Sequence, residues 1–504
     1  MTAVLRLLCS QDRRVLLAVC ASVLLVTMGP HGVLSGNEEQ YLAEAFRTVR
    51  PQAWPAASNL LGGFPHAMVF NTLMGHAVDA LGFSGAQALG RALAIVLYCV
   101  ALARLFVVLG LSAADLLFVL VAFIVAGEGL VGNEWMFRGI EPKVPAYGLV
   151  LLALTELLRE RPWRVYAWLV PATYLHAFVG GFWAVIFTVA LLARPETRLR
   201  ALMAGALAAV AVLPFLYFLL GRDYAQFGAA VPAQGPATGW ILTYVAFPWH
   251  TTPFVDARSL VRWTPGILAT ILIGAAAWAV RARSTDRMTR TLAALSALAC
   301  AWVLTALALT WYFDDGRLGS FVLFRPSGMS LLIALIVAML WLRTLEPTAA
   351  HWMRLGMLVA VLPAAVPVLL QIYVYPPGRD LLRSVGQSEL LEWVRRDTSP
   401  DRVFVIDPAL EESFFDFERR SGRASFFVHR FTPGGQADLQ SWYRRHLYRE
   451  ALFSKGCAAA GRPPAPVDYA IVEAAGARSL LLACGTTVYE HDGVSVIQLG
   501  GTRE

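Results

Sequence analysis

Ionisable side chains gather where the chain is otherwise most apolar. Between Glu128 and Lys143 the sequence reads EGLVGNEWMFRGIEPK, which sets Glu128, Glu134, Arg138, Glu141 and Lys143 between two strongly apolar segments. The i, i+4, i+7 spacing of Glu134, Arg138 and Glu141 predicts that all three share one face if the stretch is helical. Glu128 is expected in the last turn of the preceding helix, and Lys143 is expected to open the next one between Pro142 and Pro145. Charge at the edge of a membrane span is costly, and is usually either paired or functional. The stretch is therefore expected to line a polar cavity at one membrane face, with an ion-paired loop as the plainer alternative. Glu38, Glu39, Glu128 and Glu134 offer oxygen ligands suited to Mg or Mn, although no spacing among them is diagnostic. His66 and His176 can position a substrate, shuttle a proton or help hold a metal, or be satisfied structural groups.

These residues sit in a membrane protein. The chain has 504 residues, 57% hydrophobic and 15% charged, and its apolar runs are long enough to cross a bilayer repeatedly. The net charge of +7 does not indicate nucleic acid, because the arginines form short clusters between apolar runs and no basic patch is interleaved with aromatics. Membrane topology explains them. No phosphate-binding glycine loop, CxxC pair, HExxH or nucleophile elbow occurs.

The elements that must position the candidates follow from the order of the chain. Arg6, Arg13 and Arg14 precede an uncleaved first helix, about 15 to 33, which puts the N-terminus in the cytoplasm. A long outer loop, 34 to 87, carries Glu38 and Glu39 and ends in an amphipathic piece with His66 and Asn71, expected to lie at the interface. Spans follow at about 88 to 109, 113 to 131 and 144 to 158. Residues 165 to 194 are expected to make two short passes broken at Gly180-Gly181, because RPETRLR after them belongs in the cytoplasm. Helices at about 201 to 220, 264 to 281, 291 to 312, 327 to 344 and 353 to 374 complete an expected eleven, and 221 to 263 forms a loop with Trp249 and His250, for which a re-entrant path is an alternative. Arg317 and Arg325 fall in the outward loop YFDDGRLGSFVLFRP. Every loop rich in polar residues lands on one side and the arginine-only loops on the other. Trp54, Trp135, Trp240, Trp249 and Trp311 fall near predicted interfaces, as in an aromatic belt.

From Pro376 onward the composition is that of a soluble domain. SELLEWVRRD and QSWYRRHLYREALF read as helices, and RVFVID, ASFFVHRF, VDYAIVEA and SVIQL as strands. The fold class is thus an α-helical polytopic membrane domain, 1 to 375, followed by a small extracytoplasmic α/β domain, 376 to 504. Cys9, Cys20, Cys99 and Cys300 lie in or beside spans as apolar filler. Cys457 and Cys484 share the outer domain and can pair in an oxidising compartment, though two cysteines set no spacing pattern.

An acidic, partly helical first outer loop, about a dozen spans, polar outer loops and a C-terminal outer domain together resemble the GT-C superfamily of polyprenyl-phosphate-dependent glycosyltransferases. The motif GNEW-F-G-E-K-AY from Gly132 to Tyr147, His176 with Gly180-Gly181, EWVRRDTSPDRVFV and SWYRR also resemble a set of uncharacterised bacterial membrane proteins sharing a domain of unknown function. That second likeness brings no activity with it. The first implies a carboxylate in the first outer loop acting as general base on an acceptor hydroxyl, a role for which Glu38 and Glu39 are the matching pair. It also implies cations that stabilise a lipid-phosphate leaving group, with Arg138, Lys143, Arg317 and Arg325 as candidates; arginine suits bidentate contacts and lysine a point charge. The partners implied are a polyprenyl-phosphate-linked sugar, an acceptor glycan, lipid or protein, and membrane lipids, with no nucleic acid, in a bacterial plasma membrane. A transporter or flippase of lipid-linked glycan and a non-catalytic envelope-binding protein are the alternatives.

Overall fold

A computed structural model of the chain describes residues 7, 9–29, 34–55, 67–222, 236–345, 376–473 and 475–500. They divide into two compact units. The first comprises Met1–Pro30, Ala88–Tyr224 and Leu242–Tyr373, and the second His31–Gln87, Ala225–Ile241 and Val374–Glu504.

The first unit is a helical membrane fold. Its helices are α1 (Arg13–Met28), the later part of α3 (Met68–Leu109), α4 (Ala113–Val125), α5 (Lys143–Leu158), α6 (Pro162–Leu175), α7 (Ala177–Leu192), α8 (Pro195–Arg222), α9 (Ala257–Arg283), α10 (Arg287–Tyr312) and α11 (Ser327–Leu342); α2 (Gly36–Val49) belongs to the second unit. Short side chains set the starts: Asp12, Asp256 and Asp286 each accept from a backbone N–H of the first turn, and Ser112 and Asp115 cap α4 reciprocally. Large apolar residues stay exposed along α8 and α9, among them Leu207, Val210, Leu268 and Leu272. Such surface suits hydrocarbon rather than water.

The expected eleven spans are not reproduced. Among the described residues four helices are long and apolar enough to cross a membrane, at Met68–Leu109, Pro195–Leu219, Ala257–Arg283 and Arg287–Tyr312, and α4, α7 and α11 are shorter apolar helices. The first predicted span stops at Met28, before Gly29, and the third at Val125, before the glycines of the following loop. α5 has 16 residues, about 24 Å at 1.5 Å per residue, short of a core of about 30 Å. The span expected at 353 to 374 lies outside the described residues. In place of an interfacial piece and a separate span, α3 runs for 42 residues, with a non-helical Gly82 (φ 70°) inside it.

The break between the two short helices after Arg161 also differs from expectation. The chain bends at His176 (φ −154°), which caps α7 through Nδ1 accepting from Val179 N at 3.3 Å. Gly180 serves a different purpose. A Cβ there would stand 2.3 Å from Thr173 N, so its hydrogen lets α6 and α7 pack backbone to backbone.

The second unit holds a five-stranded sheet in the order β2-β1-β3-β5-β4. β1 (Val403–Ile406) runs parallel to β2 (Ala424–Ser425) and β3 (Tyr469–Val472), while β5 (Val494–Leu499) is antiparallel to β3 and to the edge strand β4 (Gly485–His491). All four residues of β1 are buried, as befits a parallel strand covered on both faces. β4 alternates in exposure, and its polar residues hid it from sequence reading. ASFFVHRF contributes only the two residues of β2. Helix α12 (Pro376–Asp397) supplies Leu390, Leu391 and Val394 to a core with Phe404, Phe414, Phe417 and Val496. Cys457 and Cys484 form a disulfide, with Cα atoms 6.3 Å apart.

Candidate functional site

In the first unit, the stretch from Glu128 to Pro142 is a loop and not a helix, so the shared helical face of Glu134, Arg138 and Glu141 does not form. Four of its residues, Glu128, Gly132, Asn133 and Gly139, and Gly127 just before it take left-handed backbone. Glu128 lies beyond the end of α4 at φ 67°, an uncommon conformation for a side chain of its size. Its carboxylate holds it there. Oε2 accepts from Met136 N (2.7 Å) and Phe137 N (2.6 Å), and Oε1 from Arg138 Nε (3.0 Å). Gly132 is needed twice over, for φ 74° and because a Cβ would stand 2.8 Å from Phe324 Cβ.

The loop still gathers most of the residues singled out from sequence. Glu134 Oε2 accepts from Arg325 Nη1 at 2.7 Å, and its Oε1 lies 3.4 Å from Lys143 Nζ. Lys143 opens α5 as expected, also pairs with Glu141 at 3.4 Å, and stands 4.0 Å over the Trp135 ring. Three carboxylates and three cations thus balance, and every one except Arg138 is mostly buried; the Arg138 side chain is 45% exposed. Arg317 is not part of this set: it is exposed in its loop, pairs with Asp315 and covers the Phe313 ring.

Three residues join the network that the sequence did not single out as site residues. Tyr147 donates to the Arg325 carbonyl at 2.5 Å and stands 3.3 Å from Glu134 Oε1, while Tyr98 donates to the Val144 carbonyl at 2.8 Å. His250 Nδ1 donates to the Gly132 carbonyl at 2.5 Å, which leaves Nε2 as the acceptor nitrogen of the ring. Burial, with Arg325 and Lys143 close by, pushes His250 well below the ordinary imidazole range, so the ring is neutral at pH 7. His176 occupies the joint of α6 and α7 described above, and His66 lies outside the described residues.

Glu38 and Glu39 belong to the second unit. Ser35 and Glu38 form a capping box at the start of α2, and Glu38 Oε2 also accepts from Gln87 Nε2 at 2.8 Å. Glu39, one position on, accepts from Arg419 Nε with both oxygens at 2.8 Å. Arg419 lies in α13 (Phe417–Ser421) and also pairs with Asp416 at 3.2 Å. Beside this pair, Arg430 Nη1 donates to Asn37 at 2.9 Å, and Trp54 Nε1 donates to Glu418 at 2.8 Å. Ala43, Trp54, Val428 and Phe431 form an apolar cluster. Burial raises Glu39, Arg419 pulls it back, and Asp416 and Glu418 raise it again, so that it comes to about 7. A carboxyl poised there can both take and release a proton at neutral pH. Arg419 and Glu418 carry no sequence signal that links them to a loop some 380 residues earlier.

The four glutamates offered as Mg or Mn ligands accept from amides, amines and guanidinium groups. Among the described residues no group of three or more His, Cys, Asp or Glu side chains is arranged to hold a metal ion.

The fold has solved relatives. It resembles the crystal structure of ArnT from Cupriavidus metallidurans in the apo state with a TM-score of 0.51, at 14% identity over 96% of this chain and 97% of that one. The structure of ArnT from the same organism bound to undecaprenyl phosphate aligns with a TM-score of 0.49, at 15% identity over 96% and 97%. A scan against protein-family models finds no match, and a search of curated proteins finds no sequence relative. The apo likeness shows a shared polytopic helical membrane fold with a small C-terminal β-rich extension.

Proposed function

We propose that the chain is a GT-C-type membrane glycosyltransferase, moving a sugar from a polyprenyl-phosphate-linked donor to an envelope glycan, lipid or protein on the extracytoplasmic side. The observation that carries the proposal is Glu39, a buried carboxyl in the first helix after α1, poised at about 7. The fold likeness and the sequence resemblance to the GT-C superfamily supply the reaction class. The ArnT structure with undecaprenyl phosphate names the kind of lipid carrier that the proposal carries over; the further resemblance to an uncharacterised bacterial set adds no chemistry.

In the proposed reaction Glu39 takes the proton of the acceptor hydroxyl as that oxygen attacks the anomeric carbon. The bond from that carbon to the phosphate oxygen breaks, and the lipid phosphate leaves with the electron pair. Glu39 is preferred to Glu38 because the Glu38 carboxylate is spent on holding the start of α2.

The test is a transfer assay with undecaprenyl-phosphate-linked sugars and envelope acceptors, read as the mass gained by the acceptor. Glu39→Gln should abolish transfer at normal expression and with the donor still bound. Full activity of the Glu38→Gln, Glu39→Gln double variant would remove the proposed base. Movement of the lipid-linked glycan without any mass change would favour a flippase.

A further inference from the structure

A cavity of about 390 Å³ lies among α9, α10 and α11 in the first unit, lined by apolar residues such as Ile273, Ala277, Val337 and Trp341. Two polar groups break that lining. Arg283, exposed in the last turn of α9, closes one end. Ser296 of α10 lies on the wall, is completely buried, and its Oγ has no hydrogen-bond partner. A buried hydroxyl left without a partner keeps the full cost of its lost hydration, so a site of this kind calls for a ligand that supplies one.

The geometry fixes what that ligand looks like. α9 and α10 are antiparallel neighbours, and Gly274 lies against Cys300, whose Cβ would be 3.2 Å from a Cβ at 274. This register sets Ser296 level with Trp278, five residues before Arg283. At 1.5 Å per residue, the backbone of Ser296 is about 7.5 Å deeper than that of Arg283. The headgroup layer on each side of a bilayer is about 5 to 7 Å thick, so a phosphate on Arg283 would bring an ester carbonyl to the depth of Ser296. Charge agrees. Arg281, stacked on Trp278 at 4.7 Å, shares the last turn of α9, and Asp286, the one acid between 281 and 290, is engaged in capping α10.

We propose that this cavity binds one anionic diacyl phospholipid: its phosphate on Arg283, an ester carbonyl accepting from Ser296 Oγ, and an acyl chain along Ile273, Ala277 and Val337. The site is separate from the one proposed for the sugar donor. A polyprenyl phosphate has no ester carbonyl, so Ser296 distinguishes the two lipids.

Native mass spectrometry of the purified protein with phosphatidylglycerol, phosphatidylcholine or undecaprenyl phosphate tests it. The protein should retain one phosphatidylglycerol under activation that strips phosphatidylcholine. Arg283→Ala should weaken that retention about fivefold, the weight of one arginine on an anionic lipid. Ser296→Ala should weaken phosphatidylglycerol and leave undecaprenyl phosphate unchanged. Equal retention of phosphatidylglycerol and phosphatidylcholine would overturn the proposal, as would wild-type behaviour of both variants. Phosphatidylglycerol carrying a diazirine on its acyl chain gives a second readout in the unaltered protein. It should label Ile273–Val280 and Ala334–Trp341, and labelling only elsewhere would equally sink the site.

Discussion

Both units bury glutamates, and they treat them differently. In the loop from Glu128 to Lys143, each carboxylate faces at least one cation, Glu128 also accepts from two backbone amides, and Glu134 meets both Lys143 and Arg325. Three negative and three positive groups balance there. In the second unit Glu39 has one guanidinium partner, which it shares with Asp416, and burial brings it to about 7. The first arrangement is built to fix a loop, and the second holds a proton that can move. Density of charge in a sequence therefore points to a site less reliably than does an imbalance between burial and counter-charge.

The comparison can be broken by experiment. The largest effect is expected for Glu134→Ala, which leaves Lys143 to Glu141 and removes the carboxylate that Arg325 holds; removing one partner of a buried ion pair costs roughly 3 to 5 kcal/mol, read as a lower unfolding midpoint in detergent. A shift of that midpoint no greater than for a surface variant would show that the loop network is not structural.

Next comes pH. Glu39 is raised from 4.5 to about 7, so its contribution to stability is fully present below about 4.5 and is lost as pH rises through about 7. At 1.36 kcal/mol per unit the loss is roughly 3 kcal/mol. Glu39→Gln, which mimics the protonated form, should remove that slope between pH 5 and 8, and an unchanged slope would place the titrating group elsewhere.

Trp54→Phe keeps the apolar cluster but loses the N–H donated to Glu418. A hydrogen bond to a charged group is worth roughly 2 kcal/mol, and hydrogen exchange in α2 and α13 should rise with the loss. The smallest effect belongs to Arg317→Ala: the side chain is 62% exposed, and no measurable change in melting temperature is expected.

Much of the first unit was legible because hydrophobic runs and arginine clusters are local signals. Lys143 opening a helix, the α9 and α10 pair with its arginine-rich turn, and β1, β3 and β5 all follow from short windows. The helical face expected of Glu134, Arg138 and Glu141 does not form because four glycines between 127 and 139 favour left-handed turns over a helix. The break at Gly180-Gly181 failed for a related reason: the glycines there serve close packing, and His176 makes the bend.

By itself the sequence determined the class of the protein, the cations and carboxylates that flank its apolar segments, and the pairing potential of Cys457 and Cys484. Those properties depend on composition and on neighbours within a few turns. Only the tertiary structure decided that Arg419, and not a nearby residue, faces Glu39, that Arg325 meets Glu134 across 191 positions, and that Ser296, buried and unpartnered, lies on the wall of a cavity. Burial and long-range pairing set a carboxyl's proton affinity and a hydroxyl's need for a partner, and both arise only when distant segments pack together.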